Sequence, residues 1–307
     1  MKALHVFAGI DGMSFLAFAS SVGLLIRDLR ADGRIHRCPT ASKPRSDNGA
    51  YLFDGERGWA MDWRQGDGVQ WWNDPNARPW TDAEKAAWKA RQVSAQRERQ
   101  EQAIKAARQA REMVKAASMV IPTPETRQRG YKRAAEAIKA HPYLVAKGFP
   151  QEPGLVLRGE LLIPMFYAVE YGQIIGLQRI APDGSKLFLP GMRARGAVHR
   201  LGTGKAKELW LCEGYATALS LREALRRLYR NADVMACFSA GNIEHVASLG
   251  IGTHVMADHD ASGRGEEAAV RTGLPYAMPR RVGDDANDLH REAGIGAVIE
   301  LVGRRMT

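Results

Sequence analysis

Short apolar runs alternate with longer amphipathic stretches along the last third of the chain. The apolar runs fit buried strands, and the stretches between them fit helices. The strands are predicted at 209–212, 234–238, 254–257 and 276–278, and the helices at 216–229, 243–249, 265–272 and 289–293. This alternation is typical of parallel strands joined by helices. It therefore predicts an α/β fold for residues 205–307, with a parallel sheet between helices.

The first 80 residues show the alternation of a small β-rich unit. Segments at 50–54 and 58–63 flank an Asp54-Gly55 turn and predict a hairpin. A short strand at 34–39 and a helix at 20–30 are also predicted. Five tryptophans crowd this segment: Trp59, Trp63, Trp71, Trp72 and Trp80. Their rings could fill the core of a small domain or stack on unpaired bases, and the core is the favoured interpretation.

Residues 81–118 predict one long helix between the two halves. Thr81 and Glu84 have the spacing of a capping box, and neither Gly nor Pro interrupts the stretch. Its apolar residues are mostly alanines, so we expect the helix to bury little surface and to be a solvated connector. Its arginines and lysines could contact a DNA backbone, but the acidic residues among them favour a solvated face.

Four segments follow from these patterns. We predict a Trp-rich α+β unit at 1–80, a long basic connecting helix at 81–121, a mixed α+β subdomain at 122–204, and the parallel-sheet domain at 205–307. Pro122 and Pro124 mark the end of the connecting helix, and a further helix is predicted at 126–140.

The composition suits a chain that meets phosphates. There are 44 Lys and Arg residues against 34 Asp and Glu, a net charge of +10, and cationic side chains bind polyanions by releasing counterions. The apolar run at 4–26 is interrupted by Asp11 and by glycines, so we expect folded structure there and no membrane partner. The three cysteines form no Cys-x-x-Cys pair, which argues against a structural zinc site and indicates reduced thiols in a cytosol.

Acidic residues follow two of the predicted strands. Glu213 comes directly after the first strand, and Asp258 and Asp260 follow the third. Open parallel sheets place their chemistry at the carboxyl ends of strands, so we expect these carboxylates to lie together. Like charges that lie so close together are tolerated when a cation neutralises them, and hard oxygen ligands favour Mg²⁺ or Mn²⁺. The pattern predicts a metal-dependent phosphoryl-transfer centre.

These motifs resemble the TOPRIM domain, which bacterial-type primases share with type IA and type II topoisomerases and some nucleases. The matching elements are, in chain order, Glu213-Gly214, Asp258-His259-Asp260 with Gly263, and Asp284-Asp285-Ala286-Asn287-Asp288-Leu289. The last element looks like the one that ends this domain in phage and plasmid primases, and the segment at 238–242 resembles that subgroup too. Thr217 is a departure, because bacterial replicative primases carry an Asp at this position.

The resemblance implies a role for each acidic residue. Asp258 and Asp260 would be the primary Mg²⁺ ligands. Glu213 would hold a second ion or act as general base at the 3′-hydroxyl, and Asp285 and Asp288 would complete the ligand shell.

The chain upstream is also similar to bacterial-type primases. The segments at 162–166, 172–180 and 184–189 resemble the subdomain that precedes TOPRIM in those enzymes, where an Arg and a later Lys face nucleotide and template. Arg179 and Lys186 occupy these positions. Topoisomerases and small TOPRIM nucleases lack such a segment. The resemblance therefore favours a DNA primase of phage or plasmid type in the cytoplasm of a bacterial host cell, with single-stranded DNA, nucleoside triphosphates and a separate replicative helicase as partners.

Two other functions stay open on the sequence. A TOPRIM nuclease would use the same carboxylates to hydrolyse a phosphodiester, and a primase relic would bind single-stranded DNA without catalysis. The Gly202-Thr203-Gly204-Lys205 run is not a phosphate-binding P-loop, because His199 stands where the first Gly is needed and Ala206 stands in place of Ser or Thr. No ATPase motor is predicted.

Overall fold

The computed structural model describes residues 13–45, 47–62, 68–74, 77, 79–119 and 140–303. The chain forms two compact units, Met1–Arg91 and Gln92–Thr307. Trp63, the prolines at 122 and 124, and the helix predicted at 126–140, apart from its last residue, lie outside the described residues. Across the described ranges, every helix is too short or too polar to cross a membrane.

In its described residues, the first unit contains a short helix, the start of a long one, and an antiparallel sheet of four strands. Its elements are α1 (Phe15–Ser21), β1 (Ile35–Cys38), β2 (Gly49–Phe53), β3 (Arg57–Asp62) and β4 (Gln70–Asn73), and the strands lie in chain order. The predicted hairpin is confirmed, because β2 and β3 join at Asp54-Gly55. Gly55 has a φ of 104° there, and the Asp54 carboxylate accepts hydrogen bonds from two backbone N–H groups.

The first helix ends earlier than the hydrophobic pattern indicates. A helix is predicted at 20–30, but α1 ends at Ser21 and Gly23 takes a left-handed φ of 86°. Leu24 is then buried and forms a β-bridge with Thr40. The helix prediction is wrong here, because the apolar residues after Gly23 extend along the sheet.

Two of the described tryptophans belong to the core of the first unit. Trp72 contacts the rings of Phe15 and Phe53 at centroid distances of 5.6 and 5.8 Å, and its indole N–H donates to the Met13 carbonyl at 3.0 Å. Trp59 is 9% exposed. Both side chains therefore provide apolar volume to a small domain, as the favoured interpretation expects.

Two further tryptophans lie nearer the surface. Trp71 and Trp80 meet the ring of Trp88 edge-on, at centroid distances of 6.4 and 5.6 Å. The guanidinium of Arg57 lies 5.0 Å from the centroid of the Trp80 ring. These contacts take up part of the surface of both rings.

The long helix α2 (Asp82–Ala116) confirms the helix predicted at 81–118. Its start is the predicted capping box. The Glu84 carboxylate accepts the Thr81 N–H at 2.8 Å, and the Thr81 hydroxyl accepts the Glu84 N–H at 3.3 Å.

The second half of α2 is not the solvated segment that its composition indicates. Ala106 and Ala110 are 2% and 0% exposed, and they pack in one apolar cluster with Leu162, Leu177 and Leu189. Alanine side chains are small, so the helix lies close against the sheet and buries a narrow seam. From Gln92 onward, the helix is part of the second unit.

A charge introduced into this seam should destabilise the second unit. Ala110→Glu would bury a carboxylate without a partner, and we expect the free energy of unfolding to fall by about 3 kcal/mol. Gln109→Glu places the same charge at the neighbouring exposed position and should change it by less than about 0.5 kcal/mol. Urea denaturation of both variants measures the difference. Equal stabilities would contradict the packing of α2 on the sheet.

The second unit is built on a mixed sheet of ten strands. Its strands are β5 (Ser118–Met119), β6 (Leu155–Leu157), β7 (Glu160–Tyr167), β8 (Ile174–Ile180), β9 (Lys186–Phe188), β10 (Ala197–Leu201), β11 (Glu208–Cys212), β12 (Ala232–Ala236), β13 (His254–Met256) and β14 (Tyr276–Ala277). The helices after α2 that the structure describes are α3 (Pro142–Ala146), α4 (Tyr215–Arg227), α5 (Ala240–Ser248), α6 (Arg264–Thr272), α7 (Ala286–Ala293) and α8 (Ile295–Gly303).

The sheet combines a parallel and an antiparallel part. Its strand order is β14-β13-β11-β12-β10-β7-β6-β5, with β8 paired to β7 and β9 paired to β8. The pairs β11–β12, β11–β13 and β13–β14 are parallel, and the other pairs are antiparallel. The parallel strands come from the C-terminal part of the chain, where the sequence predicts them.

Helices cover both faces of the parallel strands. Trp210 and Cys212 of β11 pack in one cluster with Val298 of α8, while Leu211 packs in the other with Ile243 of α5. These three residues of β11 are each 0% exposed. A strand buried on both faces needs a continuous apolar run, which is the pattern in the sequence. The α/β prediction for the C-terminal segment is confirmed.

Candidate active site

Two acidic elements follow neighbouring parallel strands. Strands β11 and β13 pair with Cys212 opposite Met256, so both end at the same edge of the sheet. Glu213 follows β11 directly, and Asp258 lies two residues beyond β13. This edge is the position at which open parallel sheets carry their chemistry.

Backbone hydrogen bonds hold the third acidic element against the loop after β13. The His259 N–H donates to the Asp284 carbonyl at 3.0 Å, and the Gly283 N–H donates to the His259 carbonyl at 2.6 Å. Asp285 is therefore close enough to Asp258 to raise the pKa of that carboxyl. The fold thus brings together three elements that are far apart in sequence.

Asp258 is half-buried among like charges. Its pKa is raised from 3.8 to about 8, first by burial and then by four carboxylates, those of Asp285, Glu213, Asp260 and Asp288. The Oδ1 atom of Asp258 is buried and has no hydrogen-bond partner. A carboxylate with a buried, unpartnered oxygen is costly unless it holds a proton or meets a cation.

Glu213 shares this environment. Burial, and then the carboxylate of Asp260, raise the pKa of Glu213 above its ordinary 4.5, while the Ala240 N–H and the cations Arg264 and Lys186 act in the opposite direction. Ala240 is the first residue of α5, so the Glu213 carboxylate lies at a helix N-terminus. A carboxylate with a raised pKa is suited to accept a proton during a reaction.

Asp260 is held in its ionised form at the start of α6. Burial raises the pKa of Asp260, but hydrogen bonds from the Ser262 hydroxyl, the Ser262 N–H at 2.8 Å and the Gly265 N–H at 2.9 Å outweigh burial, and the pKa lies below 3.8. Residue 265 must be glycine, because a Cβ there would overlap the Asp258 carbonyl oxygen. With glycine at 265, helix α6 can lie close to both acidic residues of this loop, Asp258 and Asp260.

Asp285 and Asp288 form the N-terminal cap of α7. The Asp285 carboxylate accepts the N–H groups of Asn287 at 2.7 Å and Asp288 at 2.8 Å, and the Asp288 carboxylate accepts the Asp285 N–H at 3.3 Å. The Lys147 ammonium lies 3.9 Å from Asp288. Both carboxylates therefore have a structural task, and their predicted place in a ligand shell stays a prediction.

Lys186 lies beside the acidic residues. Its ammonium is 5.6 Å from the centroid of the Tyr143 ring. Partial burial and the charge of Lys147 lower the pKa of Lys186, although Asp285, Asp258 and Glu213 act to raise it. The charge of Lys186 therefore acts on all three acidic elements.

Arg179 faces the other way. It pairs across the sheet with Leu162, which packs against α2, whereas the next residue, Ile180, pairs with Lys186. Successive side chains of a strand point to opposite faces, so Arg179 and Lys186 lie on different sides of the sheet. The guanidinium of Arg179 lies 3.6 Å from Glu160. The structure does not bring Arg179 to the acidic residues.

Two cations at the centre are not singled out by the sequence motifs. Lys147 lies next to Asp288 and acts on the pKa of Lys186, and Arg264, the first residue of α6, acts on the pKa of Glu213. Neither belongs to an acidic motif. The signal for Arg264 is its place between the two glycines at 263 and 265, which open α6.

Uncharged buried groups complete the surroundings of α7. The Asn287 amide donates to the Lys147 carbonyl at 2.9 Å and to the Ser220 hydroxyl at 3.0 Å, which fixes α7 against α4. The Asn287 Oδ1 and Thr217 Oγ1 atoms are buried without a hydrogen-bond partner. Thr217 therefore provides a polar atom at this position but no anionic ligand.

The donor atoms suit a divalent cation in kind, although they are spread out. Within the described ranges, no three His, Cys, Asp or Glu side chains are gathered closely enough to hold a metal ion among themselves. Mg²⁺, however, is commonly bound through one or two carboxylates, with waters and substrate phosphates supplying the other ligands. The unpartnered Asp258 Oδ1, beside the ionised Asp260, fits that mode.

Comparison with known proteins finds limited similarity in sequence and structure. No family model matches the chain. One similar structure is a complex of bacteriophage T7 lagging-strand DNA polymerase with primase domains of two gp4 subunits bound to an RNA/DNA hybrid and dTTP, with 16% identity over 53% of this chain and 85% of that chain, and a TM-score of 0.38. Another is the primase fragment of the bacteriophage T7 primase-helicase protein, with 15% identity over 52% and 69% of the two chains, and a TM-score of 0.37.

Proposed function

We propose that the chain is a DNA primase of phage or plasmid type, which joins nucleotides into short primers on single-stranded DNA with the help of Mg²⁺ or Mn²⁺. The observation that carries the proposal is the half-buried Asp258 carboxylate, whose buried Oδ1 atom lacks a hydrogen-bond partner and whose pKa is raised by the carboxylates of three acidic elements. The adjacent Lys186 supports it, because phosphoryl transfer needs acidic ligands and a cation side by side. The proposal includes a TOPRIM domain, which the order of these acidic elements along the sequence resembles.

Each side chain has a distinct part in this proposal. A divalent cation, when bound, neutralises phosphate charge and orients the reacting groups. Asp258 and Asp260 hold the cation, and Glu213 accepts the proton of the attacking 3′-hydroxyl. Lys186 binds the triphosphate. Asp285 and Asp288 fix α7 and surround the site with negative charge.

The opposite positions of Lys186 and Arg179 allow a matched test of nucleotide binding. Lys186→Ala should raise the KM for nucleoside triphosphate by roughly tenfold or more, because a charge-assisted phosphate contact is lost. Arg179→Ala removes the same charge from the other face of the sheet and should change KM by less than about twofold. Steady-state kinetics at several nucleotide concentrations measures both values. A larger effect of Arg179→Ala would contradict this assignment.

A synthesis assay tests the function directly. The protein is incubated with single-stranded circular DNA, labelled nucleoside triphosphates and Mg²⁺ or Mn²⁺, and the products are separated by size. Short labelled strands are the expected result. Cleaved template would instead identify a nuclease, and DNA binding with neither product would identify a non-catalytic binding protein. Glu112→Gln, on the exposed surface of α2, is the control for loss of an acidic residue outside the site.

A further inference from the structure

A groove lies beside the second half of α2, away from the acidic centre. Its volume is about 820 Å³, and its walls are α2 from Gln96 to Arg111, strand β8 at Ile175 and the loop around Met192. The groove occupies the α2 side of the sheet, whereas Lys186 lies on the other side and the acidic residues follow the carboxyl ends of β11 and β13. It is therefore separate from the site described above.

The groove carries positive charge without acidic neighbours in its walls. Three arginines line it, Arg99, Arg111 and Arg193. The remaining polar wall residues are four glutamines and one tyrosine, and no Asp or Glu is among the wall residues that the structure describes. The acidic residues of this half of α2 lie outside the groove. Such a surface attracts phosphates, and its amide groups can donate to phosphate or base oxygens.

Local contacts hold two of the arginines in place. The Arg111 guanidinium donates to the Ile174 carbonyl at 3.0 Å, and the Arg193 guanidinium lies 5.6 Å from the centroid of the Tyr167 ring. None of the three arginines forms an ion pair with an acidic side chain in the described part of the chain. Their charges are free to meet an external anion.

The dimensions of the groove indicate which kind of anion fits into it. The sixteen helical residues from Gln96 to Arg111 extend about 22 Å from the first Cα to the last, so the groove is elongated. Its volume is that of a cleft for a ligand of moderate size, which accommodates a few nucleotides of an extended strand but not a double helix. The Tyr167 ring is an aromatic surface within the wall, of the kind on which unpaired bases stack.

We propose that this groove binds the phosphodiester backbone of single-stranded nucleic acid. The inference rests on the proposed function, since a primase needs a site that holds its template outside the catalytic centre. The three arginines bind successive phosphates, and Tyr167 contacts a base. The alanine seam, Ala106 and Ala110, packs α2, which forms one wall of the groove, against the sheet.

The test is the salt dependence of DNA binding by the full chain. Binding of a fluorescently labelled single-stranded oligothymidylate is followed by anisotropy, without nucleotide or divalent cation, between about 50 and 200 mM salt. The variant Arg99→Gln/Arg111→Gln/Arg193→Gln should bind more weakly by roughly tenfold or more at the lowest salt, and its slope of log K against log salt should be smaller by about 2. Thermal unfolding is measured for each variant, so that loss of fold is recognised.

A matched control separates a specific groove from net charge. Lys105→Gln/Lys205→Gln/Lys207→Gln removes three exposed charges from the same unit outside the groove, and it should keep the slope and affinity of the original protein. Equal weakening in both triple variants, or none in the groove variant, would overturn the proposal, and so would absence of any DNA binding by the unaltered chain. Primer synthesis, assayed separately, reports on the proposed function whichever result is found.

Discussion

Replacing Asp258 with asparagine should abolish most turnover while leaving the fold intact. The substitution keeps the shape of the side chain but removes the charge that would neutralise a bound cation. We expect the rate of primer synthesis to fall by at least about 100-fold. The synthesis assay described above measures this loss, and near-normal activity in the variant would show that the site is assigned to the wrong residues.

The same variant should be more stable than the original protein when no metal is present. The folded chain raises the pKa of Asp258 from 3.8 to about 8, so in this pH range the folded state holds a proton that the unfolded state has lost. The free energy of unfolding of the original protein therefore falls as pH rises through this range. Asp258→Asn has no carboxyl group at this position, so its free energy of unfolding does not fall for this reason. At the upper end we expect a gain of roughly 2–4 kcal/mol in the free energy of unfolding.

Urea denaturation in the presence of a chelator, at a series of pH values, measures this gain. Asp183→Asn is the control, because Asp183 is an exposed aspartate whose pKa is lowered by hydrogen bonds from Ser185. It should not gain stability as pH rises. Addition of Mg²⁺ should reduce the difference in free energy of unfolding between Asp258→Asn and the original protein. Only the original protein keeps all the carboxylates that bind the cation, so it alone is fully stabilised by binding. A difference that is independent of pH would contradict the raised pKa.

Glu213→Gln should separate metal binding from chemistry. The glutamine keeps an oxygen near the cation but cannot accept a proton, so we expect most of the Mn²⁺ affinity to remain while turnover falls by at least about 100-fold. Isothermal titration with Mn²⁺ and the synthesis assay provide the two measurements on the same preparation.

The comparison with Asp258→Asn makes this result specific. Asp258→Asn should lose both affinity and turnover, since Asp258 would hold the cation itself. Parallel losses in Glu213→Gln would instead make Glu213 an ordinary ligand and remove its part as a base. Unchanged turnover in Glu213→Gln would remove it from the mechanism altogether.

Much of the C-terminal half could be predicted because its strands are buried on both faces. Such strands appear as uninterrupted apolar runs, so β11 and β13 are predicted to within a residue or two, and the acidic residues at their ends follow from the parallel pairing. The helix predicted at 20–30 fails for a related reason. The same apolar residues can pack in a helix or beside a sheet, and a single left-handed glycine, Gly23, decides between them.

The remaining features depend on contacts that a sequence does not display. Whether Arg179 shares a face with Lys186 depends on the register between β8 and β9, and a shift of one residue would have placed the two side chains opposite each other. The packing of α2 was hidden by its composition, because Ala106 and Ala110 bury a seam without the large apolar side chains that mark a buried helix. Lys147 reaches the acidic centre through α3, far from any motif.

The assembly of the acidic centre from distant segments has a consequence for folding. Glu213, Asp258 and Asp285 approach one another only after β11, β13 and the segment before α7 have docked, and parallel pairing across intervening helices is slow to form. The repulsion between the carboxylates is therefore absent from the unfolded chain and from early intermediates. A cation bound at this centre would act on a contact made late, so its influence would fall on the rate of unfolding and scarcely on the rate at which the chain folds.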